Sequence, residues 1–113
     1  MIILDKSISI KELKVIADEL YGDMVKAVAD TSNGLVAIDA ELHSDLERLL
    51  LENGSDQEDL WGFNIYPEIE GEDFIEFDSL INIRPRQNNR SRYVECAEVR
   101  EKITAIVDKF IVR

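Results

Sequence analysis

A chain of 113 residues with 45% apolar and 33% charged side chains has the size and composition of one globular domain spanning residues 1–113, and no stretch nears the roughly 18 apolar residues a membrane helix needs. Its 24 acidic against 13 basic residues leave a net charge of −11, a field that repels nucleic acid and anionic lipid and argues against both as partners. An acid follows the short run Met1–Leu4, unlike an export signal, and the single Cys96 admits no internal disulfide, so a reducing cytoplasm is the expected setting.

Ile8-Ser9-Ile10-Lys11-Glu12-Leu13 reads as a helix start, with Ser9 accepting from the third helical amide and Ile8 packing on Leu13. Leu13, Ile16, Ala17 and Leu20 share one face, and Gly22 offers a left-handed terminator, which predicts a helix over about 10–21. The runs 24–29 and 35–38 flank Asp30-Thr31-Ser32-Asn33-Gly34 and predict a β-hairpin. A second helix, about 41–52, turns Leu42, Leu46, Leu49 and Leu50 inward and closes at Asn53-Gly54. Ser55-Asp56-Gln57-Glu58 repeats the capping pattern and predicts one further turn carrying Leu60 and Trp61.

Phe63–Tyr66 alternates as a strand up to Pro67, and the acidic residues 68–73 form a solvated turn. Phe74–Arg84 is the longest strand candidate, ending at Pro85, and a last apolar helical stripe begins near Glu95. The predicted fold class is α+β: the order α-β-β-α-β-β-α, with a four-stranded, mainly antiparallel sheet and the helices packed on one face.

The densest chemical signal is two asparagines inside predicted strands, where a carboxamide competes with backbone hydrogen bonds. If the two strands pair, Asn64, Tyr66, Asn82 and Arg84 share one face, opposite Phe63, Ile65, Ile81 and Ile83. The plain alternative is a solvated face of a half-covered sheet. From Asp39 to Asp78 the only basic side chain is Arg48, whereas Arg84, Arg86, Arg90 and Arg92 follow with no acid among them. With Asn89 and Ser91 they would hold a carboxylate or phosphate; the alternative is internal pairing with the abundant acids.

His43 stands among Asp39, Glu41 and Asp45 where a strand meets a helix, and it is the one near-neutral proton carrier, the candidate catalytic residue. The acids serve equally as caps on the helix dipole. With no second histidine and one cysteine, no metal site is predicted, and no phosphate-loop, nucleophile-elbow or Cys-x-x-Cys motif implies a cofactor. Trp61 is read as packing and Cys96 as a buried, inert thiol.

The strings Glu41-Leu42-His43-Ser44-Asp45, Glu52-Asn53-Gly54-Ser55, Asp59–Pro67, Ile75–Pro85 and Asn89-Arg90-Ser91, with the Met1–Leu4 opening, resemble over nearly the whole chain a family of small uncharacterised bacterial and archaeal proteins known as a domain of unknown function. The resemblance implies no activity, cofactor or catalytic residue. The functional expectation therefore rests on the residues: a small soluble domain that binds a small polar or anionic ligand on the polar sheet face and arginine loop. The alternative is an acidic interaction module, antitoxin- or immunity-like, docking on a basic partner. A homodimer through the hairpin edge or the last helix stays open.

Overall fold

A computed structural model describes all residues, Met1–Arg113. Two short strands, β1 (Ile2–Ile3) and β2 (Ile8–Ser9), precede helix α1 (Ile10–Leu20). The helix starts where its capping residues place it: Ser9 Oγ accepts from the Glu12 amide at 3.1 Å and donates to the Glu12 carboxylate at 3.3 Å. It stops at Gly22, whose φ of 87° is left-handed and brings its amide onto the Ala17 carbonyl.

The predicted hairpin forms as β3 (Val25–Asp30) and β4 (Leu35–Ile38). Its turn is held by Asp30, whose carboxylate accepts from the amides of Ser32 and Asn33, from Asn33 Nδ2, and from the Ser55 hydroxyl at 2.6 Å. Burial works to raise the pKa of this carboxyl, but those bonds together hold it below its ordinary 3.8. Helix α2 (His43–Glu52) follows, then a 3-10 turn at Gln57–Asp59. Ser55 does not cap that turn, because its hydroxyl is committed to Asp30. Leu60 and Trp61, expected on the turn, already belong to strand β5 (Leu60–Ile65).

The largest departure lies in 74–84. Only Ile75–Glu76 forms a strand, β6, paired through Asn64↔Glu76 and Ile65↔Ile75; Leu80–Asn82 and Pro85–Gln87 are 3-10 turns. Helix α3 (Ala97–Phe110) leads into β7 (Ile111–Val112), which pairs parallel with β2. The main sheet therefore has five strands, not four, in the order β1-β4-β3-β5-β6 with every neighbour antiparallel, and a two-stranded ribbon stands beside it.

Strand alternation sorts the core into two layers. Val25, Ala27, Ala29, Val36, Ile38, Trp61, Phe63 and Ile65 pack with Leu13 and Ala17 of α1 and with Ile103, Ile106, Val107 and Phe110 of α3. Val28, Ala37 and Leu60 face the other way, onto Leu46 and Leu50 of α2. The helices thus cover both faces, which corrects the one-face expectation: β3, β4 and β5 are apolar on both sides and would expose one row if α2 joined the others. Each fully buried leucine of that second layer contributes about 1.5–3 kcal/mol.

The loop after β6 folds back over β5. A Cβ on Gly62 would stand 2.6 Å from Ser79 Cβ and Oγ and 3.1 Å from Ile81, so only glycine admits the contact. Asn82 completes it: Oδ1 accepts from the Gly62 amide at 2.8 Å, and Nδ2 donates to the Gly62 carbonyl at 2.9 Å and to the Arg92 carbonyl at 3.0 Å. The side chain does for the edge of β5 what a neighbouring strand would do, which is why this segment needs no strand of its own. Gly62→Ala is expected to cost about 1–3 kcal/mol by overpacking, and Asn82→Ala at least about 2 kcal/mol by stranding buried backbone groups, both read from urea unfolding midpoints. A midpoint unchanged in either variant would show the contact to be dispensable.

Candidate functional site

Beside that contact lies a cleft of about 390 Å³, bounded by the start of α2, the outer ends of β3, β5 and β6, and the Ser79–Ile81 turn. Its side chains come from the face of the sheet that α2 covers only in part. Lys26, Asn64 and Glu76 are cross-strand partners and so leave the sheet on one side, in a row. His43, Ser44 and the Asp78–Arg92 ion pair (2.7 and 3.2 Å) complete the walls.

His43 is the first residue of α2 and is nearly buried. Its Nε2 lies 2.8 Å from the Phe63 carbonyl, which can only accept, so Nε2 carries the proton and Nδ1 is the free lone pair. Burial lowers the pKa of the ring, and the Lys26 charge acts in the same direction; the Phe63 bond, a hydrogen bond the protonated ring gives to Asn64, and the Asp78 charge oppose it without prevailing. The ring is therefore neutral at pH 7.

Asn64 is 5% exposed. Its Nδ2 donates to Glu76 Oε1 at 2.8 Å, which settles the orientation of the carboxamide, and its Oδ1 is the one buried side-chain atom in the protein without a hydrogen-bond partner. Tyr66 donates to the same Glu76 oxygen at 2.9 Å. Burial, reinforced by that carboxylate, pushes the phenol up to about 12, so it stays a donor. The cleft thus offers a neutral imidazole, an orphan carbonyl, a carboxylate held by two donors and two cations.

Of the residues singled out in the sequence, His43, Asn64, Tyr66 and Arg92 meet here. Asn82 and Arg84 do not sit beside them on a strand face, because the segment that carries them is not a strand. Arg84 lies 4.8 Å over the Trp61 ring and donates to the carbonyls of Ile81, Gln57 and Leu60, with Glu47 3.4 Å away. Trp61 is accordingly packed. Asn89, almost wholly buried, donates to the carbonyls of Asn82, Ser91 and Tyr93 and accepts from the Glu95 amide. The amides of Arg90 and Ser91 and the Ser91 hydroxyl bond the Glu95 carboxylate, and the Arg86 and Arg90 side chains are exposed away from the cleft. Cys96 is exposed, not buried, at the cap of α3. Ile83 is also exposed, while Ile81 packs toward Leu46 and Leu50 on the α2 side.

Sequence reasoning missed Lys26, Glu76 and Asp78. Lys26 carried a usable signal: period two places it on the same face as Val28 in an otherwise apolar run. The contribution of Asp78 depends on how the loop folds back, and nothing local marks it; the same fold brings Arg92 to the cleft and leaves Arg84, Arg86 and Arg90 outside it.

A family model covers residues 2–110 of the chain and is described as Protein of unknown function (DUF5674). The chain belongs to this family. No curated protein and no solved structure matches it. The DUF5674 fold is thus read from this chain's own geometry. No helix is long and apolar enough to cross a membrane.

Two outcomes follow from the site. Arg84→Ala is expected to lower stability by about 2–4 kcal/mol, since it strips donors from three carbonyls and leaves Glu47 without its partner; urea unfolding measures this, and a loss within error would remove Arg84 from the framework. For His43 the unfolded ring protonates near its ordinary 6.5 while the folded ring resists. Its contribution is therefore complete above about 6.5 and is lost as pH falls toward the lowered folded value. The melting temperature should drop between pH 7.5 and 5.5, and His43→Gln, which keeps a donor for Phe63 but cannot ionise, should flatten that drop. An equal drop in the variant rules His43 out as its source.

Proposed function

We propose that the protein binds a small polar molecule in the cleft between α2, β5 and the Ser79–Ile81 turn. The observation that carries this reading is Asn64 Oδ1: a buried carbonyl oxygen without a donor costs about 1–3 kcal/mol, and a bound molecule presenting an N–H or O–H group removes that cost. The neutral His43 ring lines the same cleft and adds a base within its walls. The arginine loop enters this reading as support, since Arg84 and Asn89 hold the turn that forms one wall.

A second reading, an acidic surface that docks on a basic partner, draws support from Ile69, exposed among Glu68, Glu70, Glu72 and Asp73. It lacks an orphan group that a partner would satisfy, and the cleft reading is preferred on that ground.

Thermal melting across a panel of amines, carboxylates, amides, sugars and phosphates tests the proposal. A compound present at ten times its Kd is expected to raise the melting temperature by roughly 5 °C, and Asn64→Ala should abolish the rise. No rise with any compound, or one that persists undiminished in Asn64→Ala, overturns the cleft as the binding site.

A further inference from the structure

The charges along the floor of this cleft narrow the class of molecule it takes. Lys26, Asn64 and Glu76 stand side by side on β3, β5 and β6, about 5 Å apart from strand to strand. Read across the sheet, the row runs from an ammonium through a buried, unpartnered carbonyl to a carboxylate.

The ammonium end is unpaired. Five ion pairs form in the molecule and none involves Lys26; its Nζ meets only the face of Tyr21, 5.2 Å from the ring centre. For a half-buried cation in a chain with 24 acids and 13 bases, this leaves an opening for an external anion. At the same end, α2 begins at His43 with Leu42 as its cap residue and no side-chain cap. Of the first amides of this ten-residue helix, that of Asp45 donates to the Leu42 carbonyl at 3.2 Å, which leaves those of His43 and Ser44, with the positive pole of the helix behind them. The one acid of that first turn, Asp45, is turned onto Arg48 at 2.6 Å.

The other end calls for a donor. Asn64 Oδ1 is buried without a partner, and Glu76 Oε1 is held by Asn64 and Tyr66, which leaves the carboxylate charge in place beside it. A purely anionic guest would meet Glu76 and Asp78, and a purely cationic one would meet Lys26 and Arg92. A small molecule carrying both charges a few bonds apart satisfies both ends.

Resting on the binding reading above, we propose that this cleft takes a free amino acid, its carboxylate between Lys26 and the start of α2 and its ammonium on Asn64 Oδ1 and Glu76. The main chain of the guest lies along the cross-strand row, and its side chain points toward the mouth, where Leu42 and Leu80 are exposed.

Isothermal titration of the full chain with the free amino acids, and with acetate and ethylamine as the separate halves, tests this. At least one amino acid should bind at least about tenfold more tightly than either half. Lys26→Met and Glu76→Gln should each weaken it about tenfold or more, a loss of the size carried by charge-assisted hydrogen bonds. Circular dichroism melts close to wild type establish that both variants fold; if either does not, Lys26→Gln and Glu76→Ala replace them under the same criterion. Acetate or ethylamine binding as tightly as the best amino acid, or an affinity unchanged in both charge variants, overturns the assignment. If no amino acid binds while another compound gives an Asn64-dependent thermal shift, this assignment falls and the binding reading stands; if nothing binds, both fall.

Discussion

Strand β5 extends beyond the two residues that β6 pairs, so the amide and carbonyl of Gly62 lie on an edge with no neighbouring strand. Buried backbone groups cannot be left open, and the carboxamide of Asn82 closes both. That demand fixes much else. A side chain at position 62 would collide with Ser79, so the turn can sit directly on the strand. Asn89 then threads the same loop through three carbonyls, and Arg84 ties it to Leu60, Gln57 and Trp61. The result is a rigid wall beside an otherwise ordinary sheet.

The cleft exists because α2 covers its face of the sheet incompletely. Where Leu46 and Leu50 lie over the strands, the facing residues are Val28, Ala37 and Leu60. Where the helix begins, the same row continues as Lys26, Asn64 and Glu76. The polar residues therefore mark the point at which helix gives way to cleft, and His43 stands at the boundary with its ring on the Phe63 carbonyl. Alternation with period two thus serves both the core and the site on one strand.

Electrostatics separates framework from function within a strongly acidic chain. Arg84, Arg92, Arg48 and Arg113 each have carboxylate partners, and Arg100 donates to the carbonyls of Val94 and Glu95. Lys26 has no such partner, and the neutral His43 beside it adds no charge. Other lysines also lack an ion pair, but Lys26 is the one that lines the same cleft as the buried, unpartnered Asn64 Oδ1.

Local chemistry determined a good deal by itself. The cap at Ser9, the terminator at Gly22, the hairpin around Asp30–Gly34 and the inward Leu46 and Leu50 of α2 all arise from groups within about five residues of one another, and such interactions are written in spacing and residue type; Leu42, expected inward with them, precedes the helix and is exposed. The standing of Asn64 and His43 as the unusual residues was legible on the same basis, as was membership of a family of unknown function. The Phe74–Arg84 segment was not, because alternation can propose a strand but cannot supply its neighbour: Asn82 meets Gly62 across 20 residues of chain, and once its side chain caps that edge the backbone is free to turn. The placement of α2 opposite α1 and α3, and the gathering of Lys26, Glu76, Asp78 and Arg92 around Asn64, likewise depend on which surfaces remain to be covered after the sheet has formed. Contacts of that kind are chosen by packing in three dimensions, and only the folded chain decides them.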